Sequence, residues 1–338
     1  MVHLKKKTRL EQSHANSSVS TTHIGQTLND LLNWLITCGT VGLEDGRFDF
    51  QNSVNECGGS LGGFAARNFF VGDVLFSIPL ICLISVSNAN DSEVTKLVRD
   101  AAVALGDSKL VTSELLIWLF MIQQLADSDG HFHAFVRSLD PQSPSPLSWP
   151  DNLTSTLLGT NMSTMTNSSS SVERHAQFLD DVRIWASENG RDCSFIGADN
   201  FNITSLIWAR GHYLARRYPG TFSSLESYEK SLLPTTIDVE QIDTNGDGRE
   251  QGMMNLGALV PLLDILNHNP EREWLTFKVS DGFLHVTCNY PIKKGSEIYS
   301  NYGSLSNEML LYAYGFCLET NLDDAVTLQL MGLDLGKG

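Results

Sequence analysis

The run Leu259-Val260-Pro261-Leu262-Leu263-Asp264-Ile265-Leu266-Asn267-His268-Asn269-Pro270 decides how the rest of this chain is read. It is apolar up to Asp264 and polar again at Asn267 and His268. Polar groups at the end of a buried apolar run need hydrogen-bond partners. Asparagine offers two donors and an acceptor, and neutral histidine offers one of each, so the adjacent pair suits a polar, nitrogen-rich ligand. Taken alone, an Asn-His pair before a proline is more often a satisfied turn.

Two further stretches belong with it. Downstream lie Ser300-Asn301-Tyr302-Gly303, then Ser306-Asn307, then Leu310-Leu311-Tyr312-Ala313-Tyr314-Gly315-Phe316. Any one of these tyrosines reads as part of an aromatic core patch with its hydroxyl at the rim. Upstream lies Ser60-Leu61-Gly62-Gly63-Phe64-Ala65-Ala66. Its glycines permit close backbone approach but by themselves indicate only a turn. The spacing does not fit a dinucleotide fingerprint, and no βαβ unit follows.

Working outward, Leu28, Leu31, Leu32 and Leu35 predict a helix over 27–38, stopped by Gly39. Short strands are expected at 47–50, 63–66, 74–78 and 81–86. From 92 to 232 the period is helical. Thr112 or Ser113 with Glu114 caps an apolar helix, 163–171 reads as a hydroxyl-rich loop, and helices are expected at 172–188 and 203–216. Beyond 258, Ser280-Asp281-Gly282 between two alternating runs predicts a hairpin. A strand at 297–300 and a helix at 305–314 complete the order: β, helical, β. Such an order indicates an α+β fold in which one β-rich domain is split by a helical insertion.

Composition narrows the function classes. The chain has 338 residues, 42% hydrophobic and 18% charged, with a formal net charge of −16. A core is affordable, and binding nucleic acid directly through phosphate neutralisation is disfavoured. No apolar run reaches the length of a membrane span. Six cysteines occur without a CxxC pair, so neither a disulfide scaffold nor a metal site is expected. Asp243-Thr244-Asn245-Gly246-Asp247-Gly248 imitates the start of a calcium loop, but Met254 stands where the bidentate glutamate belongs, so it reads as a solvated acidic loop. Residues 1–26 are basic and Ser-rich and read as a disordered tail. A nuclear or transit signal is the competing reading, leaving a cytoplasmic, nuclear or plastid location open.

Taken together, these motifs resemble those of SET-domain methyltransferases, in the branch typified by the Rubisco large-subunit and actin-histidine methyltransferases. Asp264 to His268 is similar to that branch's D-x-x-N-H box, and the run from Ile298 through Tyr302-Gly303 and Ser306-Asn307 to Tyr314-Gly315-Phe316 is similar to its closing motif. Residues 132–139 with Trp149 and Leu158-Gly159-Thr160 resemble a run of its helical insertion, and Trp208-Ala209 with Arg216 the helix that ends in S-R. The resemblance implies a knotted β-rich SET domain binding S-adenosylmethionine. It places Asn267 and His268 on the cofactor, with Arg216 at or near its carboxylate and Gly62 and Gly63 presenting backbone to its methionine moiety. Tyr302 matches the active-site tyrosine, which also contacts the cofactor. Tyr314 lines the same channel, and Asp264 orients substrate or supports the Asn-His loop.

By the same resemblance the chain divides into a tail (1–26), an N-terminal helix with the first SET part (27–91), the insertion (92–257), the second SET part (258–318) and the start of a C-terminal substrate-binding region (319–338), whose helical remainder is expected to be missing. The sequence departs from the pattern at Leu61, where a glycine is usual, at Ala215 in place of the serine of S-R, and at Asn301, where serine is common. The expected function is methyl transfer to a lysine, or a histidine, of a protein substrate by a monomer. The alternative is a catalytically weakened SET-like module that binds protein.

Overall fold

A computed structural model describes residues 17–53, 61–166, 169–218 and 257–325. Helix α1 spans Ser17–Thr37 and buries Leu31 and Leu35. It begins ten residues before the expected start, so residues 17–26 of the predicted tail are helical. Gly39 follows it in the left-handed region at φ 94°. Three strands come next: β1 (Phe48–Asn52), β2 (Leu61–Ala65) and β3 (Val74–Pro79).

The strand expected at 81–86 does not form. Leu80–Cys82 make a 3₁₀ turn, Ile84 forms a single bridge to Leu259, and helix α2 occupies Val86–Asp91. The reason is local: Pro79 closes the strand, and Ser85 and Asn88 form a capping box that starts the helix.

The helical block continues with α3 (Glu93–Leu105), α4 (Ser113–Ala126), α5 (His133–Ser138), α6 (Asp151–Thr154), α7 (Asn161–Thr166), α8 (Ser169–Glu188) and α9 (Ile203–Arg216). In α4 every residue from Leu115 to Ile122 is buried, as befits a helix apolar on all sides. The Thr112 hydroxyl accepts from Leu115 N–H at 3.2 Å and caps it. The hydroxyl-rich stretch expected to be a loop instead supplies α7 and the start of α8. Met162 and Val172 are buried there, so packing outweighs the weak helix preference of serine.

Helix α9 occupies the predicted 203–216, capped by Asn202 and Ser205. It leads into β4 (Arg217–Tyr218), which pairs antiparallel with β5 (Ala258–Leu259). This pairing ties the end of α9 to the start of the Asn-His segment. The calcium-loop mimic at 243–248 lies outside the described residues.

The β6–β7 hairpin (Thr276–Ser280 and Phe283–Thr287) turns at Asp281, φ 55°, and Gly282, φ 80°, as the Asp-Gly pair predicts. Strand β8 covers Glu297–Ile298, and helix α10 covers Asn307–Tyr314, capped by Ser306 and closed by Gly315 at φ 78°. The strands form two antiparallel three-stranded sheets, β1-β2-β8 and β3-β7-β6. In the first, Gly63 stands opposite both Phe50 and Ile298, which joins the two separated β segments around the glycine pair. His268 and Ser300 form a parallel bridge, so the Asn-His segment runs beside the strand that leads to Tyr302.

Candidate active site

The site begins with a strained turn. Leu262 is buried with φ 70° and ψ −44°, a conformation L-residues rarely hold. Such a residue costs on the order of 1–3 kcal/mol and persists only where its surroundings over-determine it. Leu263–Ile265 then make one 3₁₀ turn that presents Asp264. The Asp264 side chain is 5% exposed, its Oδ2 lies 3.5 Å from Arg216 Nε, and its Oδ1 is buried with no hydrogen-bond partner. Burial pushes its pKa up to about 6, with Arg216 and the backbone N–H groups of Asp264 and Leu262 pulling the other way.

Asn267 and His268 are both buried, and each is held differently. Asn267 Nδ2 donates to Glu297 Oε1 at 2.7 Å and to the Leu61 carbonyl at 3.3 Å. Glu297 Oε2 accepts from the Ser53 hydroxyl at 2.6 Å. A Cβ placed on Gly62 would stand 2.6 Å from Glu297 Oε1 and 3.0 Å from Asn267 Nδ2, and one on Gly63 would stand 2.9 Å from the Leu266 side chain. Glycine at both positions therefore lets β2 approach this cluster without displacing those side chains. His268 Nδ1 accepts from Tyr302 N–H at 3.1 Å, and burial lowers its pKa.

The tyrosines form a stack rather than a rim. Tyr302 lies 5.0 Å from the His268 ring and 4.7 Å from Tyr314, and its hydroxyl donates to the Leu266 carbonyl at 2.8 Å. Burial raises the Tyr314 pKa to about 12.

A cavity of about 360 Å³ opens beside this stack. Tyr218, Trp274, Phe277, Tyr302 and Tyr314 supply aromatic walls, while Arg216, Asp264, Ser300 and Asn301 supply polar groups. Of the residues singled out in the sequence, Arg216, Asp264, Tyr302 and Tyr314 line it. Gly62, Gly63, Asn267 and His268 do not, but are tied to it through Leu266 and Tyr302.

Sequence reading missed several of these groups. Tyr218, its hydroxyl donating to the Leu263 carbonyl at 2.9 Å, comes from β4 and packs edge-on against Phe277. Burial raises its pKa well above the ordinary phenol value. Glu297 was legible only as part of a short strand, although a carboxylate facing Asn267 across sequence is a signal in retrospect. Among the described residues, no cluster of three or more histidine, cysteine, aspartate or glutamate side chains could hold a metal, and no helix is long and apolar enough to cross a membrane.

Comparison with known proteins accords with this geometry. No family model matches the chain. The ribosomal lysine N-methyltransferase set10 of Schizosaccharomyces pombe is 38% identical over 74 residues, 21% of this chain and 14% of that protein. The N-lysine methyltransferase SETD6 of Rattus norvegicus is 31% identical over 117 residues, 33% of this chain and 24% of that protein. The matched stretches thus span less than a quarter of either relative's length. Among solved structures, the SET domain of LSMT bound to methyllysine and AdoHcy superposes with a TM-score of 0.65 at 17% identity, covering 87% of this chain and 57% of that one. Rubisco LSMT bound to AdoMet gives a TM-score of 0.64 at the same identity and coverage. The chain thus shares the α+β fold of the LSMT SET domain over most of its length and is similar to lysine methyltransferases over short stretches of sequence.

Proposed function

We propose that this chain is an S-adenosylmethionine-dependent protein methyltransferase acting on the side-chain nitrogen of a lysine. The observation that carries the reading is the aromatic cavity with Asp264 among its lining residues, a carboxylate whose Oδ1 is buried without a hydrogen-bond partner. An orphaned buried acceptor is costly unless a ligand satisfies it, and a lysine side chain, with N–H donors on a long apolar stem, matches both the acceptor and the rings.

The residues present also fit the cofactor. Gly62 and Gly63 let β2 lie against Asn267, Glu297 and Leu266, which brings its backbone next to the Asn-His segment. In this reading Gly62, Gly63, Asn267, His268, Tyr302 and Arg216 hold S-adenosylmethionine, whose sulfonium supplies an electrophilic methyl group.

The chain's own contribution is positioning and dryness. Holding two reactants in line can lower a barrier by about 7–11 kcal/mol. A lysine nucleophile must first shed a proton from a pKa of about 10.4. The aromatic walls disfavour the ammonium by excluding water. Asp264 Oδ1 orients it, and the raised pKa of Asp264 makes it a better proton acceptor than an ordinary carboxylate. Lysine is preferred over histidine because the relatives are named as lysine methyltransferases and Asp264 is matched to an ammonium.

The reading also takes the chain path as knotted, supported by the parallel His268–Ser300 bridge and the Tyr302 hydroxyl on the Leu266 carbonyl. It takes the partner as a protein segment, met by a monomer.

Calorimetric titration with S-adenosylmethionine, followed by labelled-methyl transfer to lysate proteins and mass spectrometry, tests the proposal. Binding with lysine methylation is expected. A chain that binds no cofactor overturns it, and binding without transfer to any lysate protein favours the protein-binding module.

A further inference from the structure

We infer that His212 is a positioning residue for Arg216, a neutral acceptor that aims the guanidinium at the cavity without consuming its charge. The inference rests on the methyltransferase reading only for what Arg216 binds. The geometry stands by itself.

His212 is fully buried in α9, one turn before Arg216. Arg216 Nη1 lies 2.8 Å from His212 Nδ1, and His212 Nε2 lies 2.8 Å from the Asp140 carbonyl. A guanidinium has donors only, and a carbonyl accepts only. Nδ1 must therefore accept and Nε2 must carry the proton, which fixes one tautomer from both sides. Burial and the neighbouring Arg216 hold the ring neutral, well below the ordinary histidine pKa.

The loop that supplies the carbonyl is brought in by two glycines. A Cβ on Gly211 would collide with the Ser143 side chain, and one on Gly315 with the Pro144 carbonyl. The loop is thereby pressed between α9 and the end of α10. Trp208 Nε1 donates to the same Asp140 carbonyl at 3.0 Å. Ring, loop and helix thus form one rigid mount.

The choice of a neutral acceptor matters chemically. A carboxylate in place of His212 would pair with Arg216 and compete with Asp264 for it. An apolar side chain would leave a guanidinium nitrogen unpaired in the interior. A neutral imidazole satisfies that N–H and leaves the full positive charge facing Asp264, 3.5 Å away, and the cavity.

Two substitutions separate the ring's nitrogens. His212→Asn places an amide oxygen near the Nδ1 position and retains the acceptor for Arg216. His212→Gln places an amide nitrogen near the Nε2 position and retains the donor to Asp140. In ¹⁵N NMR of the full chain, the Arg216 side-chain signals are expected to be resolved and slow to exchange in the unmodified protein and in His212→Asn, and averaged with solvent-exposed arginines in His212→Gln. The dissociation constant for S-adenosylhomocysteine should stay within about threefold in His212→Asn and weaken about tenfold in His212→Gln, the loss of roughly one hydrogen bond to a charged group. A merely structural role would move both variants together, in step with their melting temperatures, and that result would overturn the inference.

The unmodified chain gives an independent check if either variant misfolds. Its His212 ring must show Nδ1 unprotonated and Nε2 protonated, and the opposite tautomer refutes the assignment. Failure of the unmodified chain to bind cofactor would count against the methyltransferase reading, while the NMR arm would still decide the role of His212.

Discussion

Asn267 and Asp264 stand three residues apart, and the protein treats their polar atoms in opposite ways. Asn267 closes on the fold: its amide meets Glu297 and Leu61, and Glu297 meets Ser53. Asp264 is left open, with Oδ1 buried and unpartnered and its pKa pushed up to about 6. A closed network gives rigidity and one geometry. An open buried acceptor destabilises the free protein and is retained where a ligand needs it. The first reads as the fixed side of the candidate site, the second as its open side.

The largest expected effect tests the open side. Because the folded-state pKa of Asp264 lies above its ordinary value of 3.8, the folded chain holds more protons than the unfolded chain between about pH 4 and about pH 6. Its contribution to stability is therefore lost as pH rises through that window. The shift amounts to about 3 kcal/mol at most. Asp264→Asn should remove this dependence, so that urea midpoints of variant and parent converge near pH 4, diverge in the variant's favour as pH rises to about 6, and keep that gap above it. A constant offset across the range would show that Asp264 ionises in the fold as it does in water.

Tyr302→Phe comes next, and it joins the two regions. The Tyr302 hydroxyl holds the Leu266 carbonyl at 2.8 Å, beside Asn267, while its ring lines the cavity. Removing the hydroxyl keeps the stack on His268 and Tyr314 but frees the carbonyl. Turnover should fall about 10²-fold, the cost of roughly 1 Å of misplacement, with cofactor affinity changed only a few-fold. Unchanged turnover in a labelled-methyl assay would remove Tyr302 from the active site.

Glu297 sharpens the closed side. Glu297→Ala strips Asn267 of its shorter acceptor and Ser53 of its partner, and should cost about 2 kcal/mol in chemical denaturation. Glu297→Gln keeps an acceptor oxygen for Asn267 and should recover at least half of that. Equal losses in both variants would mean that the carboxylate's charge, and not the network, holds the region.

The sequence disclosed these regions unevenly, and the reason is locality. Helix α9, the Thr112 cap and the Asp281-Gly282 turn are set by neighbours within a few residues, and each stands where the residues predict. The Asp264-to-His268 segment draws notice for an equally local reason, because its polar residues interrupt an apolar run. Glu297 and Ser53 meet across 244 positions, and Tyr218 reaches Leu263 across 45, so no window of sequence contains either pair. The misreadings have the same origin. Residues 81–86 look like a strand until Ser85 is seen to cap α2, and the serine-rich stretch near 163–171 looks like a loop until Met162 and Val172 are seen to be buried. Patterning exposed the helical block and the polar break in the apolar run, whereas the mount behind Asn267 and the neutral acceptor behind Arg216 exist only through tertiary contact.

The smallest effect serves as the control for all the others. Thr112 caps α4, which packs against α9 and so underlies the helix that carries Arg216. Thr112→Ala removes one capping bond and should cost about 1 kcal/mol of stability. If the site's geometry is set locally, by His212, Glu297 and the two glycine contacts, this loss will lower the urea midpoint while leaving cofactor affinity unchanged. If affinity instead falls in step with stability, then the site depends on the general rigidity of the helical block. The contrast between a closed mount and an open acceptor would then be a property of the whole insertion and not of the residues at Asn267 and Asp264.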